Sequence, residues 1–169
     1  SGVIDLATGS GKSFVLYGIA QILLAIGLVK RVLLLCPSVT IERELRNKFI
    51  LLASRADLKE YIPLWCVIKN PRIIDANVTI KSGDICIENI HAVYENTGSS
   101  INDSFKNGGS DTLVLNDEIH HAYNVSSDKD IKKWKQFLLG KNNFKYIIGT
   151  TGTAYIENEY FTDVLYRYS

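Results

Sequence analysis

Continuous apolar runs separated by glycine- or proline-marked breaks set the rhythm of this chain. A short apolar strand is predicted at Val3 to Leu6, followed by a glycine-rich turn and a helix from about Lys12 to Leu28. Arg31-Val-Leu-Leu-Leu-Cys36 is a second apolar run, ended by Pro37. Its unbroken apolarity suits a strand buried on both faces, as in parallel sheets. A more polar helix is expected from about Thr40 to Ala53, with Thr40 or Ser38 as its cap. Residues 64–68 and 78–89 read as further strands. Residues 96–110, rich in Gly, Ser and Asn, predict a loop, and Thr112 to Leu115 another buried strand. Ser127 opens a helix with Asp130 three residues on, a variant of the capping-box pattern. Ile131, Trp134, Phe137 and Leu138 form its apolar face and Gly140 stops it. Lys145 to Gly149 is the last clear strand. This alternation predicts an α/β fold, a three-layer sandwich on a mainly parallel sheet, with no internal repeat and no linker.

Composition narrows the picture. A chain of 169 residues suits one compact domain. Its 46% hydrophobic and 22% charged residues allow a real core and argue against disorder. The net charge of +1 excludes a wholly basic nucleic-acid-binding module, so any such contact is local or shared with parts outside the sequence. Cys36, Cys66 and Cys86 are odd in number and form no CxxC pair, which predicts buried, reduced thiols of an intracellular, cytoplasmic protein. The apolar run Phe14 to Val29 is shorter than the roughly 18 to 20 residues of a membrane span and Gln21 interrupts it, so no membrane partner is expected. The sequence lacks methionine and opens with Ser1-Gly2 directly on a strand, so an excerpt of a longer protein is expected.

The chemistry sits at two strand ends. Leu6-Ala-Thr8-Gly9-Ser10-Gly11-Lys12-Ser13 joins a strand to a helix. Glycines let backbone N–H groups converge without a Cβ in the way, and the positive helix end completes an anion cradle. Lys12 is placed to reach the β- and γ-phosphates of a nucleotide and the Ser13 hydroxyl to bind Mg²⁺. With no nucleotide bound, Lys12 is expected to face solvent. The pattern GxxxxGK[ST] departs in one position, because Leu6 stands where its first glycine belongs. An ordinary glycine-rich turn is the bland alternative; the strand before and the helix after weigh against it.

Asn116-Asp117-Glu118-Ile119-His120-His121 follows a predicted strand. Carboxylates at the C-terminal end of a parallel strand face the same crevice as the phosphate loop. Asp117 is expected to hold the Mg²⁺ shell and Glu118 to orient and deprotonate the attacking water. Alone, two acids after a strand suit a solvated helix start equally well. His120 and His121 raise a zinc site, but the run lacks HExxH spacing.

Together the two motifs resemble motifs I and II of superfamily two helicases. Gly149-Thr-Thr151-Gly152-Thr153-Ala-Tyr155 stands where those proteins carry motif III, which couples ATP state to nucleic-acid grip. Pro37-Ser38-Val39-Thr40 resembles motif Ia, a nucleic-acid phosphate contact, and Ile87 to His91 more loosely a later strand-end contact. The wordings Ala-Thr-Gly-Ser-Gly-Lys-Ser, Asn-Asp-Glu-Ile-His-His-Ala-Tyr and Thr-Gly-Thr-Ala-Tyr are similar to the restriction subunit of type III restriction enzymes, and the tail Asp163 to Ser169 resembles the stretch after motif III there. Ile119 and Ala154 replace the usual alanine and proline.

The resemblance implies that residues 1–169 are the first RecA-like, P-loop domain of a DNA helicase or translocase. It implies ATP and Mg²⁺ as cofactors, and Lys12, Glu118 and His120 as catalytic residues, His120 coupling hydrolysis to movement. DNA, ahead of RNA, is the implied partner, with a second RecA-like domain supplying arginine fingers and a modification or specificity subunit beyond it. An isolated first domain is then nearly inactive. A nucleotide-dependent switch that never moves along nucleic acid is the competing reading, which the near-neutral charge favours and motifs Ia and III oppose. A degenerate scaffold is a third, against which stand Lys12, Ser13, Asp117 and Glu118.

Overall fold

The computed structural model describes residues 2–6, 11–55, 60, 63–66, 71–94, 100–117, 128–151 and 164–168. Strands β1 (Gly2–Leu6), β2 (Arg31–Cys36), β3 (Arg72–Ile74), β4 (Asp84–Asn89), β5 (Thr112–Asp117), β6 (Tyr146–Thr151) and β7 (Val164–Tyr168) alternate with helices α1 (Lys12–Ala25), α2 (Val39–Ser54), α3 (His91–Tyr94), α4 (Ile101–Ser104) and α5 (Asp128–Leu139). Among the described residues the strands form a single sheet in the order β3-β4-β2-β5-β6-β1-β7. Every neighbouring pair runs parallel. The expected α/β sandwich is therefore the observed architecture.

Continuous apolarity in β2 and β5 is explained by helices on both sheet faces. Leu33, Leu35 and Val114 turn to one face, where Trp134, Phe137 and Leu138 of α5 cover them together with Ile101 and Phe105. Val32, Leu34, Leu113 and Leu115 turn to the other, against Leu16, Tyr17 and Ala20 of α1 and Leu45 and Phe49 of α2. Tyr17 meets Phe49 edge to face, ring centroids 5.3 Å apart. Cys36, Cys66 and Cys86 are buried and unbridged, and burial pushes the Cys36 and Cys86 thiols well above their ordinary range. Among the described residues no helix is long and apolar enough to cross a membrane.

Several boundaries differ from expectation, each for a local reason. Helix α1 ends at Ala25, not Leu28, because Gly27 takes a left-handed φ of 75° and the N–H of Val29 turns back to the Leu23 carbonyl at 3.3 Å. Ile26 and Leu28 are exposed beyond that stop. The strand expected at 64–68 is a short 3₁₀ turn at Leu64–Cys66 with Leu64 and Trp65 exposed; residues 67 and 68 lie outside the described residues. Of 78–89 only Asp84–Asn89 is strand, since Gly83 turns the chain at φ 91°. The loop expected at 96–110 contains α4, which carries Ile101 into the core. Ser38 caps α2, its Oγ accepting from the Ile41 N–H at 3.2 Å. The expected start of α5 at Ser127 lies outside the described residues, as does the side chain of Ile131.

Two carboxyls tie α2 to the end of β4. Glu42 and Glu88 each place Oε1 3.0 Å from the Asn89 backbone nitrogen. The Asn89 side-chain amide donates to the same two oxygens at 3.0 and 2.9 Å. Burial, then the hydrogen bond with Glu42, raises the Glu88 carboxyl from 4.5 to about 7. Burial also raises Glu42, but hydrogen bonds from Glu88 and Asn89 and the Arg46 charge outweigh it and hold Glu42 below its ordinary value.

The folded protein thus keeps a proton on this pair that the unfolded chain has released, which is a stabilising contribution full below pH 4.5 and lost as pH rises through about 7. Glu42 has the opposite sign, but its contribution is lost as pH falls from 4.5 through its lowered value, outside that window. Urea unfolding between pH 5 and 8 should show stability falling by on the order of 1 kcal/mol, a figure discounted for Glu88's partial exposure. Glu88→Gln should flatten that dependence; an unchanged slope would remove the pair as its source.

Candidate nucleotide site

Because the strands run parallel, their C-terminal ends share one edge, and Lys12, Ser13, Pro37, Ser38, Asp117 and Thr151, the predicted site residues that are described, stand along it. Gly11 closes the loop after β1 in a left-handed conformation, φ 80°, that residues with a Cβ rarely adopt. It is the N-cap of α1, and no side chain caps that helix. The first turn of α1 holds no acidic residue, so its backbone donors and positive end are left for an external anion. Lys12 and half-buried Ser13 occupy that turn. Thr8, Gly9 and Ser10 lie outside the described residues.

Asp117 ends β5, with its side chain on the α1 side of the sheet. Lys12 Nζ stands 2.9 Å from Asp117 Oδ1, the Lys12 side chain 20% exposed and the Asp117 side chain 1%. The expectation of a solvent-facing Lys12 is therefore corrected: an almost fully buried carboxylate attracts the nearest cation across the crevice. The Thr150 hydroxyl donates to the same Oδ1 at 3.0 Å. Strand register explains this contact, because Asp117 of β5 and Thr150 of β6 are direct cross-strand partners. Sequence reasoning singled out Asp117 and passed over Thr150.

A further feature lies on the opposite face. Leu35, Cys36, Pro37, Ile90, Asn116, Asp117 and Trp134 line a small crevice at this edge. Asn116 is buried, and its carboxamide atoms have no hydrogen-bond partner among the described residues. Pro37 is buried in the crevice wall, and Ser38 caps α2 beside it with Val39 and Thr40 exposed. Thr151 ends β6 opposite Asp5 of β1. Glu118, His120, Gly152 and Thr153 lie outside the described residues.

The donor set suits a hard divalent cation. Ser13 offers a hydroxyl oxygen and Asp117 a carboxylate, the ligand type that Mg²⁺ takes alongside phosphate oxygens and water. Among the described residues no group of three or more His, Cys, Asp and Glu side chains could hold a metal by itself. A cation placed here would draw further ligands from a bound phosphate chain.

Comparison with known proteins adds to this geometry. No curated protein matches the chain. The UvsW helicase of bacteriophage T4 has a similar structure, with a TM-score of 0.55 and 16% identity over 90% of this chain and 46% of UvsW. The nuclease-deletion mutant of the Type ISP restriction-modification enzyme LlaGI, solved in complex with a DNA substrate mimic, gives a TM-score of 0.60 and 14% identity over 99% of this chain and 18% of LlaGI. The chain thus spans less than half the length of either, and at these identities the likeness is one of fold, that of the RecA-like domains of helicases. Residues 1–156 match the family described as "Type III restriction enzyme, res subunit". With nearly its whole length matched, the chain belongs to the family of type III restriction enzyme res subunits.

Proposed function

We propose that this domain is the nucleotide-binding half of an ATP-driven motor acting on DNA. The observation that carries this reading is the Lys12–Asp117 contact of 2.9 Å, which supports it by joining the first turn of α1 to the end of β5. When a triphosphate enters, Lys12 leaves Asp117 for the β- and γ-phosphates, and the loop from Thr8 to Ser13 surrounds them with backbone donors. Ser13 and Asp117 would hold Mg²⁺, which when bound would neutralise charge on the phosphate oxygens. Glu118 takes the proton of the attacking water. His120 relays the state of the site to Thr151, Gly152 and Thr153. Of the expected contacts Pro37 and Ser38, only half-buried Ser38 is open to the DNA backbone at this edge, because Pro37 is buried.

Family membership supports the motor reading, as do structural relatives that are a helicase and an enzyme solved with a DNA mimic. A second RecA-like domain would close over the nucleotide and supply arginine fingers, and a modification or specificity subunit would direct the assembly. The test is ATP hydrolysis, with and without double-stranded DNA, by the protein that carries this chain and by residues 1–169 alone. DNA-stimulated turnover is expected of the first. The second should bind ATP weakly and turn over close to background, because arginine fingers are worth roughly 10³ to 10⁵ in rate. ATP binding that DNA leaves indifferent in the whole protein would replace the motor by a nucleotide-dependent switch.

A further inference from the structure

The buried hydroxyl of Thr150 sits one residue before the expected coupling motif and donates to Asp117. Its hydrogen bond and the Lys12 ion pair converge on a single oxygen, Asp117 Oδ1, at 3.0 and 2.9 Å. The two donors differ in kind. Lys12 is a flexible side chain on the first turn of α1, partly exposed, and required elsewhere once a triphosphate arrives. Thr150 is fully buried in β6, held opposite Asp117 by the backbone register of the sheet. Its branched side chain is stiff, so its hydroxyl direction is set by the strand.

We propose that Thr150 is a positioning residue for the metal site, fixing the Asp117 carboxylate toward the cation after Lys12 has moved to the phosphates. The inference rests on the nucleotide-binding reading above and deepens it. Oxygen ligands of a cation need their own hydrogen-bonded support to keep direction, and loss of such support typically weakens metal affinity by 10- to 100-fold.

The experiment uses the protein that carries this chain, with Mn²⁺ in place of Mg²⁺ as the probe. Electron paramagnetic resonance reads free Mn²⁺ in the presence of a non-hydrolysable ATP analogue, and calorimetry reads binding of the analogue with EDTA present. Thr150→Val keeps the shape and removes the hydroxyl. It should weaken Mn²⁺ affinity about 10-fold or more while metal-free nucleotide affinity stays at the wild-type value. Thr150→Ser restores the hydroxyl and should recover most of the loss. On an Asp117→Asn background, Thr150→Val should have no further effect on Mn²⁺ binding. Wild-type Mn²⁺ affinity in Thr150→Val would overturn the proposal. So would a failure of Thr150→Ser to recover affinity, which would assign the loss to packing. If Thr150→Val does not fold, the Thr150→Ser and Asp117→Asn proteins still decide, since serine near wild-type Mn²⁺ affinity and asparagine with a loss of about 10-fold or more are both required. Absence of any nucleotide binding by the wild-type protein is a different result, and it sinks the nucleotide reading itself.

Discussion

Lys12→Ala should reduce ATP hydrolysis to background and weaken nucleotide binding by roughly 10²-fold or more, the loss of a charge-assisted contact to phosphate. The same change should also be felt by the empty protein. Lys12 is the cation beside a carboxylate whose side chain is 1% exposed. Removing one partner of a fully buried pair costs about 3 to 5 kcal/mol. Here Lys12 is partly exposed and Thr150 still donates to Asp117, so about 1 to 3 kcal/mol is expected, read as a lower urea midpoint. Lys12→Ala combined with Asp117→Asn should recover most of that stability without recovering ATP binding. A single mutant of wild-type stability would mean that the ion pair contributes nothing measurable, and wild-type ATP affinity by calorimetry would end the phosphate-loop assignment.

Glu118→Gln separates binding from chemistry. The amide keeps the size and hydrogen-bonding reach of the carboxylate but cannot take the proton of the attacking water. In the whole protein ATP affinity should remain near wild type while turnover falls about 10²- to 10⁴-fold, the range for a lost general base. Single-turnover hydrolysis with DNA present measures this without interference from product release. Turnover within a few-fold of wild type would take the base role from Glu118. Asp117→Asn should behave differently, with its loss concentrated in the Mg²⁺ dependence of the reaction.

Much of the fold is written in apolar continuity. Strands β2 and β5 were legible because helices bury both their faces, leaving runs such as Val32 to Cys36 and Leu113 to Leu115 with no solvent side. Where elements meet solvent or a sheet edge, the signal fails. The three residues of β3 stand at the edge of the sheet, with Arg72 exposed and bound to Asp84. Leu64 and Trp65 have the composition of a strand but stand exposed in a turn. The end of α1 was written in Gly27, but Ile26 and Leu28 prolonged the apolar pattern past it.

The site was legible to a similar degree, for a different reason. Lys12 and Asp117 stand out because local spacing ties each to a motif. Thr150 is one threonine beside Thr151 and near Thr153, and its role depends on standing opposite Asp117 in the sheet. Nothing local in the sequence encodes that register. Asn116 escaped notice likewise: it reads as part of the acidic motif, but its side chain points to the other face, into the crevice with Trp134.

The strand order carries a consequence for how the protein comes into being. Strand β1, which leads into the phosphate loop, lies between β6 and β7, pairing Val3 with Gly149 and with Val164. Its partners are thus among the most distant residues in the chain, while β2, β4 and β5 pair within a nearer span. During synthesis at about 5 to 20 residues per second, β1 waits on the order of ten seconds on the ribosome before anything it can pair with exists. The central strands can collapse meanwhile, closing shorter loops at lower entropic cost. The sheet edge that β1 and β6 share, where Lys12 meets Asp117, is therefore completed only after β6 has been made.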